Sequence, residues 1–264
     1  MSRIEERFKK LKGKGRAALI PYTMAGYPTL NGSKRIIEAL AEWGDIIEIG
    51  IPYSDPLADG ATIQKASVVA LSQGIKTPQV LEMIADIRRV TDTPFVIMTY
   101  YNAIYKYGLD VFAKAVAGVG VDGVIIPDLP PEEAHPWCSV AKANSIDTIF
   151  LLAPTSTEDR IRKVASACCG FIYCVSLTGV TGAREALSIT LPQFISRVRV
   201  LTDKPLAIGF GISSPEHARE VAKIADGVII GSALIDLIDK AKDEREQIAS
   251  VTGFVRDILA ALGR

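Results

Sequence analysis

Residues 45–51 read Asp-Ile-Ile-Glu-Ile-Gly-Ile and run on through Pro52-Tyr53-Ser54-Asp55-Pro56-Leu57-Ala58-Asp59-Gly60. Side chains alternate across a strand, so Ile47, Ile49 and Ile51 share one face while Ile46, Glu48 and Gly50 share the other. A run that is apolar on both faces is buried on both, which marks a parallel strand covered by helices. Seven more runs share this character: ALIPYTMAG from Ala18, PFVIMTYY from Pro94, GVIIPD from Gly123, TIFLLAP from Thr148, FIYCVSL from Phe171, PLAIGFGI from Pro205 and GVIIGSAL from Gly227. Between them lie segments of helical period, such as Ile36, Ile37 and Leu40. Helix-start signals accompany them at Thr77-Pro78, Ser156-Thr157-Glu158 and Ser213-Ser214-Pro215. Eight strand–helix units with no linker predict one closed domain over residues 1–264, an α/β fold of the (β/α)8 TIM-barrel type, in preference to a doubly wound open sheet. Ile4, Phe8 and Leu11 fall on one helical face behind Ser2. Residues 2–12 are therefore expected to form an extra amphipathic N-terminal helix that caps the barrel bottom.

The spacing also says where function lies. Strand starts are separated by 22–29 residues except after the second and the sixth, where 49 and 34 residues intervene. Active sites of such barrels are built from loops at the carboxyl ends of the strands, so the surplus is expected to hold a functional loop in the first case and a lid over Ser176–Ser188 in the second.

Composition narrows the chemistry. Thirty basic and thirty acidic side chains leave no net charge, so there is no basic footprint for nucleic acid. Only two histidines occur, His135 and His217, both in early turns of expected surface helices, which disfavours a histidine metal site or a histidine general base. The four cysteines, Cys138, Cys168, Cys169 and Cys174, show no metal or disulfide spacing. The charged N-terminus has no signal-peptide core and no run reaches membrane-spanning length, so a cytoplasmic location without membrane contact is expected. No strand run contains a lysine, which removes a Schiff-base aldolase, and no dinucleotide or P-loop fingerprint is present.

Carboxylates are left to carry acid–base work. Glu48 is expected inside the barrel, where desolvation raises its pKa; a structural ion pair is the other reading. Asp55-Pro56 and Asp59-Gly60 read by default as ordinary turns, but their place in a long loop beyond an interior glutamate also fits a rim carboxylate that divides acid and base roles with Glu48. Gly209 and Gly211 after the seventh strand, and Gly231-Ser232 after the eighth, fit either a phosphate cradle or plain tight turns. Gly179 and Gly182 flank Val180 and Thr181 in the expected lid.

The strings TMAGYP (23–28), IEIGIPYSDPLADGATIQ (47–64), MTYYN (98–102), IIPDLP (125–130), YCVSLTGVTGAR (173–184) and GFGIS (209–213) resemble, in this order and over essentially the whole chain, the tryptophan synthase alpha chain family. One departure is Ala61, where many members carry proline. The resemblance implies retro-aldol cleavage of indole-3-glycerol phosphate to indole and D-glyceraldehyde 3-phosphate, with no cofactor and no metal. It also implies that Glu48 is the acid–base glutamate and that Asp59 pairs with the indole N–H. By the same likeness, Tyr100 and Phe210 pack around the indole and Tyr173 lies near the glutamate. Gly182, Gly211, Gly231 and Ser232 contact phosphate, and Thr181 is the lid threonine. Tyr22 stands where some members have phenylalanine and lines the pocket. The family pairs with a pyridoxal-phosphate beta chain, as an alpha2-beta2 heterotetramer, to which indole passes; Asp55 and Pro56 correspond to the loop that faces it. A phosphosugar isomerase and a catalytically silent barrel acting as an allosteric partner are the alternatives.

Overall fold

The computed structural model describes the backbone of residues 1–176, 184–209 and 211–263, and the side chains of all of these except 184–190. Its strands are β1 (Ala18–Met24), β2 (Ile47–Gly50), β3 (Phe95–Met98), β4 (Gly123–Ile125), β5 (Asp147–Ile149), β6 (Leu151–Leu152), β7 (Ile172–Val175), β8 (Leu206–Gly209) and β9 (Gly227–Ile230). The hydrogen-bonded order is β5-β4-β3-β2-β1-β9-β8-β7-β6, and every pairing is parallel. β5 and β6 are halves of one run parted only by Phe150, whose carbonyl accepts from Tyr173 N at 3.0 Å. The two ends of the order are thus continuous in the chain, and the sheet closes into a barrel. The eight expected strands are present, the fifth divided in two.

Inside the barrel, Ala18, Ile20, Ile46, Val96, Ile125, Ile149, Phe171, Ala207 and Ile229 form one buried cluster. Helix α1 (Arg3–Lys12) adds Ile4, Phe8 and Leu11 to that cluster. Burying each such side chain stabilises the fold by about 1.5–3 kcal/mol. Space for the plug comes from glycines: a Cβ at Gly123 would approach Ile4 Cδ1 to 2.9 Å, and one at Gly227 would approach Phe8 Cε1 to 3.3 Å. Ser2 caps the helix in a reciprocal box with Glu5. Ile47, Ile49 and Ile51 belong to the second, larger cluster between strands and helices, as their alternation requires.

Aspartates stitch the lower rim. Asp45, just before β2, accepts from Leu19 N of β1 at 2.8 Å and takes both terminal nitrogens of Arg16 at 2.7 and 2.9 Å. Asp122, before β4, accepts from Phe95 N of β3 at 2.8 Å and from Arg3 Nε at 2.5 Å. Asp226, before β9, accepts from Leu206 N of β8 at 2.8 Å and from Arg199 at 2.5 Å. Each carboxylate ties a neighbouring strand to an arginine.

The two long intervals differ from expectation in the same way, by holding helix. After β2 come a loop and two helices, α2 (Ala61–Ser72) and α3 (Thr77–Arg88), so much of the surplus is helix rather than loop. The cap of α3 is Lys76, and Thr77 is already its first helical residue. After β7, helix α4 spans Arg184–Leu201, so the expected lid loses residues 184–188 to it. Arg-Glu-Ala-Leu are good helix formers, which explains the early start. Residues 177–183 of that expected lid lie outside the described residues.

Candidate active site

At the carboxyl ends of the strands lies a cavity of about 650 Å³, counting its open mouth. Tyr22 from β1, Glu48 from β2, Met98 from β3, Ile125 from β4, Leu151 from β6, Tyr173 from β7 and Ile229 from β9 line it from within. Ala58, Asp59, Gly60, Gly211, Gly231 and Ser232 line it from the loops and one helix start. A second cavity opens at the lower rim, but its two arginines, Arg16 and Arg199, are already engaged by Asp45 and Asp226.

Glu48 is 1% exposed, and its Oε2 has no hydrogen-bond partner among the described residues. It is in register with Tyr22 on β1 and Val96 on β3, so its side chain emerges among inward-facing neighbours. Burial, with a smaller push from Asp59, raises its pKa to about 8. Removed from water without a cation, the carboxyl holds its proton at neutral pH. The alternative reading, a structural ion pair, fails: no salt bridge to Glu48 exists among the described residues.

Asp59 is half-buried at the rim. Burial raises its pKa to about 6, against the lowering effect of a hydrogen bond with the Tyr100 hydroxyl. That same hydroxyl accepts from Ala58 N at 3.0 Å. Tyr100 is stacked on Tyr53 with centroids 4.9 Å apart, and Asn102 Nδ2 donates to the Tyr53 hydroxyl at 3.0 Å. Tyr53 is fixed in turn by Ser67 of α2, whose Oγ accepts from Tyr53 N at 3.0 Å and donates to its carbonyl at 2.9 Å. The extra helix therefore holds the aspartate loop. Tyr100, expected beside the indole, is not among the residues lining the cavity; it supports Asp59 from behind.

Tyr22 and Tyr173 fill the barrel mouth on either side of Glu48. A Cβ at Gly50 would overlap the Tyr22 hydroxyl, and one at Gly209 would overlap that of Tyr173. Gly209, read as a place of close approach to a ligand, is instead small because a tyrosine occupies its Cβ space. Both phenols are held well above their ordinary pKa by burial, and the two carboxyls add to this. Gly211 adopts φ +82°, a conformation that favours glycine. Gly231 is the cap and Ser232 the first residue of a nine-residue helix, α5 (Ser232–Lys240), whose opening N–H groups have no intrahelical partner.

Asp55 and Pro56 lie outside the cavity, on a turn where Ser54 Oγ donates to Asp55 at 2.6 Å and Asp59 N donates to the Pro56 carbonyl at 3.0 Å. Their neighbour Leu57 is 93% exposed. His135 and His217 are exposed on helix starts, away from the cavity. Thr181, Gly182 and Phe210 lie outside the described residues. Among the described residues, no three His, Cys, Asp or Glu side chains converge as a metal site, and no helix is long and apolar enough to cross a membrane. The sequence reading missed Met98, Ile125, Leu151 and Ile229; carrying the alternation of β2 onto the other strands would have found them.

Comparison with known proteins gives a consistent result. The family model described as tryptophan synthase alpha chain matches residues 8–261. The tryptophan synthase alpha chain of Roseiflexus sp. (strain RS-1) is 49% identical over 260 residues, covering 98% of this chain and 99% of its own. That of Thermoanaerobacter sp. (strain X514) is 46% identical, covering 99% and 100%. Among solved structures, a protein of Aquifex aeolicus VF5 superimposes with a TM-score of 0.91 at 40% identity over the whole of both chains. Tryptophan synthase of Mycobacterium tuberculosis does so with a TM-score of 0.90 at 38% identity, covering 99% of this chain and 98% of that one.

Proposed function

The chain belongs to the tryptophan synthase alpha chain family, and from that premise we propose that its cavity cleaves indole-3-glycerol phosphate to indole and D-glyceraldehyde 3-phosphate, with Glu48 and Asp59 sharing the acid–base work. The observation that carries the assignment is one pair of carboxyls in two environments, a buried one at about 8 and a rim one at about 6. At neutral pH the first keeps its proton and the second has lost it. Groups whose pKa values are pushed apart can act as acid and as anion in one site.

The chemistry then follows from the substrate. Protonated Glu48 gives its proton to indole C3, which makes the ring cationic, and ionised Asp59 supports that charge at the indole N–H. Glu48, now a carboxylate, takes the proton of the glycerol hydroxyl next to the ring. The carbon–carbon bond breaks, its electron pair returns to the ring, and the oxygen becomes the aldehyde carbonyl. Protons balance, and one carboxyl serves as acid and then as base. Phosphate would rest on Gly211, Gly231 and Ser232, where glycine admits close approach and the helix start favours an anion. Gly182, Thr181 and Phe210 complete the reading at positions outside the described residues. Tyr22 and Tyr173 form walls, with Tyr100 holding Asp59. The reading calls for no metal and no cofactor in this chain.

The same premise supplies a partner, a pyridoxal-phosphate beta chain in an alpha2-beta2 assembly that receives the indole. Asp55, Pro56 and the exposed Leu57 form the projecting turn suited to meet it. A cytoplasmic setting suits the four free cysteines. Indole release from indole-3-glycerol phosphate, measured with and without beta chain across pH, tests the whole assignment. kcat/KM is expected to fall below about pH 6, as Asp59 gains a proton, and above about pH 8, as Glu48 loses its own. No indole under either condition overturns the lyase; a flat profile overturns the two carboxyls.

A further inference from the structure

Two buried polar atoms of residues that line this cavity have no hydrogen-bond partner among the described residues, Glu48 Oε2 and the Tyr22 hydroxyl. They come from adjacent strands at one level, because Tyr22 and Glu48 are register partners. The Tyr22 ring leans along β2, so that its hydroxyl occupies the Cβ space of Gly50, the next residue on Glu48's own face. The inner edge of the ring lies near the helix start, since a Cβ at Gly231 would be 3.2 Å from Tyr22 Cδ1. The phenol thus stands between the acid–base carboxyl and the place assigned to phosphate. A phenyl ring would fill most of that volume without leaving a dry oxygen, and buried hydroxyls are almost always paired. An unpaired one at this depth is a donor that waits for a ligand atom. Burial and the neighbouring carboxyls keep it protonated.

Resting on the lyase reading above, we infer that the Tyr22 hydroxyl donates a hydrogen bond to the glycerol hydroxyl beside the breaking bond, the same hydroxyl whose proton Glu48 removes. One substrate oxygen then satisfies both orphaned protein atoms. Tyr22 holds that oxygen while its proton points to Glu48, and the donor follows the oxygen as it becomes a carbonyl. Tyr22 is on this account a catalytic residue that selects for a hydroxyl at that carbon, and not merely a wall.

The test is Tyr22→Phe in the full chain with beta chain supplied, with indole-3-propyl phosphate, which lacks both hydroxyls, as the comparison ligand. kcat/KM for indole-3-glycerol phosphate is expected to fall about tenfold. Affinity for the propyl phosphate is expected to stay within about twofold and the unfolding midpoint to hold or rise, because the ring and its packing remain. An unchanged kcat/KM overturns the inference. So does equal loss of affinity for both ligands, with or without a lowered midpoint, since that would make Tyr22 a packing residue. Wild-type protein assayed alongside separates the two levels: if it releases no indole the lyase reading falls, whereas an active wild type matched by the variant removes only the role of the hydroxyl.

Discussion

The two ends of this barrel treat their acids in opposite ways. At the lower rim Asp45, Asp122 and Asp226 each accept a backbone N–H from the neighbouring strand and an arginine. At the upper end Glu48 is buried, and among the described residues it has no salt bridge and its Oε2 has no hydrogen-bond partner. Satisfied acids below hold strands in register; an unsatisfied acid above is a cost to folding, and in the proposed reaction it is the proton donor. The lower end is organised for stability and the upper end for chemistry, as befits a barrel whose reactions occur at the carboxyl ends of its strands.

Glu48→Gln should show the contrast most strongly. Indole release is expected to fall by about 10²–10⁴-fold while substrate affinity persists, because proton transfer is lost and phosphate recognition is not. Stability is expected to move the other way. Glu48 has a folded pKa of about 8 against 4.5 for the free group, so the native chain keeps a proton that the unfolded chain has released. Stability therefore declines as pH rises from about 4.5 through 8, and that decline is at its full extent above 8. The glutamine variant escapes it, and a melting curve at pH 9 should place the variant above the wild type. Near-normal turnover would erase the distinction between the two ends.

Asp45→Ala is the reciprocal experiment. Arg16 and Asp45 are both nearly buried, so removing one strands the other at a cost of about 3–5 kcal/mol. Denaturant unfolding should read that loss while kcat of the folded fraction stays at the wild-type value. A drop in kcat would mean that the lower rim also serves the chemistry. Ser232→Asp probes the upper end away from the carboxyls: negative charge at the start of α5 is expected to weaken glycerol phosphate binding by about tenfold, since the helix start no longer offers net positive character. Unchanged affinity by calorimetry would move the phosphate elsewhere. The smallest effect belongs to Ala61→Pro. Ala61 opens α2 behind Gly60, whose φ −71° and ψ 162° suit a residue before proline. A gain of about 0.4–1 kcal/mol with unaltered turnover is expected, and a loss would show that the aspartate loop needs slack at that hinge.

Much of this was legible in the residues alone. Alternation at 46–51 placed Glu48 inward and Ile47, Ile49 and Ile51 outward, because a strand has only two faces. Ser2 announced a helix whose Ile4, Phe8 and Leu11 share a stripe. The tertiary contacts of Tyr100 and Gly209 were not legible. The Tyr100 hydroxyl engages Ala58 N, a contact set by how far loop 51–60 folds back. Gly209 was read for a ligand, yet the Tyr173 hydroxyl fills its Cβ space from the neighbouring strand. The aspartate clamps were also missed, although Asp precedes an apolar run at 45, 122 and 226, because a carboxylate at a strand start looks like any turn residue until its arginine is located.

The sequence by itself determined the architecture, since period, run length and strand count depend on residues close together along the chain and need no knowledge of what lies opposite. It also carried the family, and with it the reaction. Only the tertiary structure decided which acids are paired and which are bare. Whether Asp45 meets Arg16, or Glu48 Oε2 meets no partner among the described residues, depends on barrel closure and on the plug of α1. Desolvation, which raises the pKa of Glu48, arises from everything packed around it and from nothing in its neighbours along the chain.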